Sequence, residues 1–401
     1  MRRVVITGAG TVNALALDVP GTLAAMAEGR SGIGPLTFPE VERLSIGIGA
    51  QVRGFDPDTH FDPQKRALYD PFTQYALVAA REAMAMAGLG QVARPEGWGC
   101  IMGTAGGGNH TINDAYRAVY AEGRNRVHPF TVPRLMPNAA AAHIAMQFGL
   151  QGPSFAVSTA CASSNHAIGL AYQMVRGGVA EGMLTGGSEA MLNFGGLKAW
   201  EGLRVMSPDG CRPFSQTRNG MVQGEGAGVF VIETLESAEA RGAEPLAEIR
   251  GFAMSSDAGD IVMPSVDGAS RAIRAALDDA GLSPDEIGYI NAHGTGTAAN
   301  DRTECLAIRQ VFGAAAERVM LSSTKAMHGH CIGATGAVEL LACLMALRDG
   351  VIAPTINFEA SDPDCDLDVV PNVARAAQVE AVLSNAFAFG GMTAVLALSR
   401  V

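Results

Sequence analysis

The chain has 401 residues, of which 48% are hydrophobic and only 17% charged, with 49 glycines among them. That balance excludes disorder and suits a large α/β core with tight turns and close helix contacts. A net charge of −11 argues against a nucleic-acid partner, and it means that docking any acidic partner needs a local basic patch.

The seven cysteines are scattered and odd in number, with no CxxC pair. A disulfide framework or zinc site is therefore not expected, and a reducing cytoplasm is. The start, MRRVVITGAG, enters a strand directly without the apolar region of a signal peptide. The longest uncharged run, Phe148 to Val175, is interrupted by Gly, Pro, Ser, Asn and His, so it reads as core and not as a membrane span.

In chain order, the opening strand runs into Gly8-Ala9-Gly10, a fragment of a dinucleotide fingerprint without its third glycine. A tight strand-to-helix turn explains those glycines. A helix spans 18–29, and surface loops fill 30–62. Apolar spacing predicts a helix from Lys65 to Met86, with Lys65 and Arg66 at its solvated start. Cys100 to Gly108 reads as a strand entering a glycine turn, followed by a helix over 109–121. Residues 124–138 form a Pro-rich, basic loop too long to be an idle connection. An Ala-rich helix, Ala139–Phe148, precedes the stretch PSFAVSTACASSNHAIGLAYQMVRGG.

In that stretch Phe155 and Val157 indicate a short strand, and helical spacing holds from Ala162 to Arg176 before Gly177-Gly178 stops it. Cys161 falls at the junction. The unpaired N–H groups of a first helical turn stabilise a thiolate and can hold an oxyanion. By itself, however, a cysteine there is more often a buried structural residue.

A strand at Met183–Ala190, a turn-rich segment at Asp209–Gly228 and a strand at Val229–Thr234 follow. From Leu246 the element order begins afresh, with a helix at Ala269–Gly281 and a capping signal at Ser283–Glu286. A strand at Ile287–Ala292 leads into HGTGT, a helix covers 301–312, and a strand at Val319–Ser322 leads into STKAMHGH. A small-residue helix and two closing strands complete the chain. The expectation is an α/β fold of two similar halves, 1–240 with the cysteine and 241–401 with the histidines and lysine.

Three polar clusters sit at strand ends in otherwise apolar sequence: Cys161, His293 and the run Lys325–His330. Such ends are where sites form in α/β proteins. A thiol can take an acyl group, two imidazole N–H groups can hold an enolate oxygen, and a lysine can set the local charge.

STACASSNHAIG, NAHGTGT, SSTKAMHGHCIGATGA and NAFAFGG resemble the four signature stretches of β-ketoacyl-acyl-carrier-protein synthases, the condensing enzymes of the thiolase fold. The resemblance covers essentially the whole chain. It is to the type II elongating enzymes and, through VPRLMPNAAAAH, LKAWEGLRVMSPDGCRPFS and DPDCDLDVVPNVAR, to the nodulation protein E branch. It implies a dimeric five-layer α-β-α-β-α sandwich without an organic cofactor, working on acyl- and malonyl-loaded carrier protein.

The resemblance also implies residue roles. Cys161 carries the acyl thioester, and His293 and His330 assist decarboxylation and stabilise the enolate. Lys325 pairs with Glu304. The N–H groups of Cys161 and Phe389 form the oxyanion hole. Thr295 and Thr297 bind the phosphopantetheine arm, and Phe387 and Phe389 belong to the gating stretch beside the nucleophile. Asn291, Glu339, Ser384 and Asn385 match a monovalent-cation site of some relatives. Lys65, Arg66, Arg124, Arg126 and Arg204 become candidates for a carrier-docking patch.

Three departures stand out. Ala388 replaces a glycine in the gating stretch, Met392 and Thr393 replace its Thr-Asn, and Gly106 stands where many relatives carry a bulky residue dividing the acyl pocket. Gly106 could open that pocket or merely serve its glycine turn. The rival readings are a coenzyme A-dependent thiolase or starter-unit synthase, and a non-catalytic chain-length-factor-like subunit. The first would show a second catalytic cysteine or a Cys-His-Asn set. The second would lack the nucleophile.

Overall fold

The structure is a computed structural model that describes residues 2–401 apart from 91 and 93. Its frame is ten strands: β1 Val4–Asn13, β2 Trp98–Gly103, β3 Ser154–Val157, β4 Gly182–Glu189, β5 Gly226–Thr234, β6 Ala247–Ser256, β7 Ile287–Asn291, β8 Met320–Ser322, β9 Ala381–Ala388 and β10 Met392–Ser399. They are ordered β8-β7-β9-β10-β6-β1-β5-β4-β2-β3. Each half thus repeats one topology, its strands lying first, fifth, fourth, second, third. The first three in that spatial order are antiparallel and the last three parallel. Within the ten-stranded sheet the halves join where Val4–Ile6 pairs with Ala247–Ile249.

The principal helices are α1 Pro71–Met86, α2 Asn109–Tyr116, α3 Ala139–Phe148, α4 Ser163–Arg176, α5 Phe194–Glu201, α6 Val266–Ala280, α7 Ala298–Phe312 and α8 Thr335–Asp349. Side-chain alternation explains the layering. Along β5, Phe230 and Ile232 join a central core with Ile168 and Tyr172 of α4 and Leu340 and Leu344 of α8, while Val229 and Val231 pack beneath α1 and α3. Along β10, Leu396 and Leu398 face the same central core, and Val395 and Ala397 face α6 and α7. Strands buried on both faces read as continuous apolar runs, as VFVIET and TAVLALS do. The result is the expected five-layer α-β-α-β-α sandwich. Each large aliphatic side chain so buried contributes about 1.5–3 kcal/mol.

Gly8 and Gly10 lie inside β1 and not in the expected turn after it, and they have a packing role. A Cβ on either would strike the carbonyl of Ala83 or Ala79 at 2.1 or 1.9 Å, so the glycines let α1 lie directly on β1.

Two helices differ from expectation. Lys65–Met86 is not continuous: a four-residue helix, Pro63–Arg66, is followed by α1, whose N-cap Asp70 accepts a hydrogen bond from the Phe72 N–H. Pro71 keeps the residue before it extended, which breaks the helical run. The helix from 109 ends at Tyr116 and finishes in a π turn, Arg117–Ala121.

Candidate active site

Cys161 sits in a 3-10 turn, Ala160–Ala162, between β3 and α4. The turn begins at Ala160 with φ +48°, a left-handed conformation unusual for a residue with a Cβ. Ser163 holds it: its hydroxyl donates to the Ala160 carbonyl at 2.7 Å and accepts from the Thr159 N–H at 2.9 Å. His293 follows β7, and Lys325 and His330 follow β8. These strands are parallel neighbours, so their C-terminal ends bring both histidines to one place.

The expected constellation assembles. The Cys161 sulfur and one nitrogen of each of His293 and His330 all lie within 4.8 Å of one another. They face a cavity of about 170 Å³ also lined by Thr295, Thr297, Phe387 and Phe389. Thr295 and Thr297 share a hydroxyl–hydroxyl hydrogen bond of 2.9 Å. Phe387 lies edge-on to His293, with ring centroids 6.1 Å apart.

Behind the histidines lies a buried charged network. Lys325 is fully buried and donates to the His293 carbonyl and to Glu339 Oε1, the latter at 2.5 Å. This corrects the pairing with Glu304. Glu304 instead accepts the N–H groups of His293 and Gly294, at 2.9 and 2.8 Å, and the Asn385 amide at 3.1 Å. Lys325 therefore fixes the carbonyl of His293 while Glu304 fixes its N–H.

Burial dominates the electrostatics. It pushes the Cys161 thiol up to about 11, against the opposing pull of Lys325 and of the N–H groups of Phe389 and Cys161 that face the sulfur. The helix start therefore does not by itself yield a resting thiolate. Burial, and then the Lys325 charge, hold His293 and His330 well below the ordinary imidazole range. Both rings are neutral at pH 7. Nδ1 of His330 receives the Ile332 N–H at 3.1 Å and lies 2.8 Å from the Thr335 hydroxyl. A backbone N–H can only donate, so the ring hydrogen belongs on Nε2. That makes His330 a donor toward the cavity. It also argues against reading Cys161, His293 and His330 as metal ligands, since a protonated nitrogen has no lone pair to offer.

The cation residues meet their own test. The Oδ1 atoms of Asn291 and Asn385 and Oε2 of Glu339 are buried and find no donor among the described residues. Ser384 pairs in register with Asn291, and its hydroxyl lies 3.4 Å from the Asn165 amide. An all-oxygen set of this kind fits a hard cation.

Other expected residues fall elsewhere. Gly106 is not among the cavity-lining residues. A Cβ there would meet Glu189 Oε1 and Met191 Sδ at 3.2 Å each, and its N–H is already given to Glu189. The space beside Gly106 is thus filled by Glu189 and Met191. Ala388 lies in extended backbone at φ −108°, where no glycine is needed; the left-handed positions are Gly390 and Gly391. Lys65 and Arg66 are exposed and paired with Asp62 and Asp58 at 3.5 and 2.6 Å. Arg66, Arg124 and Arg126 gather in adjoining hollows that share Asp114 and Arg134, whereas Arg204 is exposed beside Val205 of the cavity wall.

Sequence reading passed over Arg134, although it lies in the basic loop already noted. It also passed over Trp200, which lines the cavity and stacks on Phe389 at 5.9 Å, and the loop Val262–Pro264 that closes one side. Nothing local marks either one, because each meets the cavity only through tertiary packing.

Comparison with known proteins gives the family. The family described as "Beta-ketoacyl synthase, N-terminal domain" matches residues 1–238, and "Beta-ketoacyl synthase, C-terminal domain" matches 246–359. Nodulation protein E of Rhizobium sp. (strain N33) is 50% identical over 401 residues, covering 100% of both chains. The 3-oxoacyl-[acyl-carrier-protein] synthase 2 of Staphylococcus aureus (strain COL) is 40% identical over 407 residues, covering 100% of this chain and 98% of its own. A ketosynthase solved with its type II polyketide acyl-carrier protein, and bound to the hexaketide, superposes with a TM-score of 0.91. It is 30% identical and is matched over 100% of this chain and 99% of its own. The chain belongs to the β-ketoacyl synthase family and is an acyl-transferring condensing enzyme.

Proposed function

We propose that the protein extends an acyl chain by decarboxylative condensation, with Cys161 as the acyl carrier and malonyl-loaded carrier protein as the donor. The observation that carries this reading is the approach of one thiol and two neutral imidazoles within 4.8 Å in one cavity. The Cys161 thiol attacks the acyl thioester, its proton passes to the departing pantetheine thiol, and the N–H groups of Cys161 and Phe389 hold the oxyanion. Malonyl-carrier protein then enters past Thr295 and Thr297. Its carboxylate leaves as carbon dioxide, and the enolate oxygen is held by N–H groups of His293 and His330. The enolate carbon attacks the Cys161 thioester, releasing the β-ketoacyl carrier and a thiolate that takes a proton from solvent.

Lys325, with Glu304 and Glu339 as supports, adds to burial in keeping the imidazoles neutral and holds His293 in place. A monovalent cation on Asn291, Glu339, Ser384 and Asn385 would brace the same network. The division at 240/241 separates the half supplying the nucleophile from the half supplying the enolate donors. Carrier docking is assigned to Lys65, Arg66, Arg124 and Arg126 with Arg134, and to Arg204 at the cavity. A homodimer is supported by β3, which among the described residues is an edge strand paired only with β2, and by the exposed Tyr116, Tyr120 and Phe130. In keeping with its work on carrier-bound substrates, the enzyme is assigned to the cytoplasm. Among the described residues no helix is long and apolar enough to cross a membrane.

Intact mass measurement after incubation with acyl-carrier proteins tests the reading. The expected gain is one acyl group, absent in Cys161→Ala and discharged by malonyl-carrier protein. No acylation by any carrier-bound chain would overturn it in favour of a non-catalytic partner subunit.

A further inference from the structure

One fully buried carboxylate has no part in the chemistry above. Glu189 ends β4, in the half that carries Cys161. It accepts hydrogen bonds from the turn after β2: the Ala105 N–H at 2.6 Å, the Gly106 N–H at 3.0 Å and the Thr104 hydroxyl at 3.2 Å. Its fourth donor comes from the other half, the Gly333 N–H at 3.1 Å. The contact is tight, since a Cβ on Gly333 would meet the Ala105 nitrogen at 2.4 Å and Glu189 Oε2 at 2.6 Å.

The residue before Gly333 is strained. Ile332 has φ +45°, a backbone that a β-branched side chain avoids. This conformation is what delivers the Ile332 N–H to Nδ1 of His330. Such strain persists only where the surroundings over-determine it. On one side the Ile332 side chain is buried against Leu192, Leu197 and Met221. On the other, the next N–H is anchored by Glu189.

We propose that Glu189 is a positioning residue for His330. By clamping the Ile332–Gly333 turn of one half to the Thr104–Gly106 turn of the other, it locks His330 as an Nε2–H donor aimed at the Cys161 cavity. Glu189 does not line the cavity and acts on His330 through the turn. The inference rests on the enolate-holding role assigned to His330.

The test reads two steps separately in the full-length enzyme: acyl loading of Cys161 by mass, and decarboxylation of malonyl-carrier protein. Glu189→Gln turns an N–H donor toward backbone N–H groups. It should load within about two-fold of wild type while decarboxylation falls about ten- to a hundred-fold, the scale of a small misplacement of a reacting group. Gly333→Ala attacks the same contact from the opposite side and should give the same split. Histidine-selective ¹⁵N spectra of the wild type should show His330 as the Nε2–H tautomer, a readout that needs no variant to fold. Decarboxylation at the wild-type rate in Glu189→Gln overturns the proposal, as does an equal fall in loading and decarboxylation, or an Nδ1–H tautomer in the wild type. Decarboxylation at the wild-type rate in His330→Ala instead overturns the reading on which the proposal rests.

Discussion

Cys161 and His330 face one cavity from the two halves of the molecule, and they are held there by different means. Around Cys161 the chain is small and uncharged: Ala160, Ala162, Ser163 and Ser164 surround a strained turn secured by one serine hydroxyl. Behind His330 and His293 the interior is ionic, with Lys325, Glu304 and Glu339 all at 1% exposure or less. The nucleophile is governed by shape and desolvation, so its thiol rests protonated. The histidines are held neutral by burial and then by the fixed Lys325 charge, and the His330 tautomer is set by an obligate hydrogen bond, so their protonation is set before substrate arrives. An acyl acceptor can wait as a thiol until a thioester binds, whereas an enolate must meet its donors the moment carbon dioxide leaves.

The sharpest way to break this contrast is at the histidine side. His330→Ala should lower malonyl decarboxylation about 10²–10⁴-fold, the range for losing a positioned proton donor, with a smaller effect on acyl loading. Parallel loss of both steps would mean that the two sides do not divide the work. Lys325→Met leaves Glu339 buried without its partner and should cost about 3–5 kcal/mol in denaturant unfolding, as one-sided removal of buried pairs does. Lys325→Met combined with Glu339→Gln should recover part of that loss. An unchanged midpoint in the single variant would show that the network is not ionic.

The thiol side is probed by pH. With Cys161 up at about 11, its thiolate fraction grows throughout the neutral range. Alkylation by iodoacetamide should therefore climb about ten-fold per pH unit from 7 to 9 without levelling off. A plateau below pH 8 would mean that the helix start and Lys325 outweigh burial after all. His293 and His330, already neutral, should add no inflection to decarboxylation between pH 6 and 8. The smallest expected effect lies on the surface. Charge reversal at Lys65 and Arg66, or at Arg204, should raise KM for an acyl-carrier protein about three- to ten-fold and leave a small thioester substrate unaffected. Equal changes for both substrates would remove these residues from docking.

Much of the site was legible in the chain because its chemistry is local. Strand, small-residue turn and helix stop around Cys161 lie within one stretch, and each histidine lies in the segment that follows an apolar strand. The repeated element order anticipated two halves, and they share one strand topology. The partner of Lys325 was not legible. Glu304 and Glu339 both lie on helices after the histidine strands, and only the packing of α8 beneath Lys325 selects Glu339. Gly106 was ambiguous for a similar reason, since its role depends on Glu189 and Met191, more than eighty residues away.

The sequence by itself determined the types of chemistry and the local frame: a thiol at a helix start, imidazoles and a lysine at strand ends, and glycines where chain meets chain. These follow from short-range periodicity, capping and turn stereochemistry, which act within a few residues. Only the tertiary structure decided which groups share a hydrogen bond, which tautomer His330 keeps, and that Trp200 closes on Phe389. Those outcomes turn on ångström-scale distances between segments far apart in the chain, and packing of the five layers sets those distances.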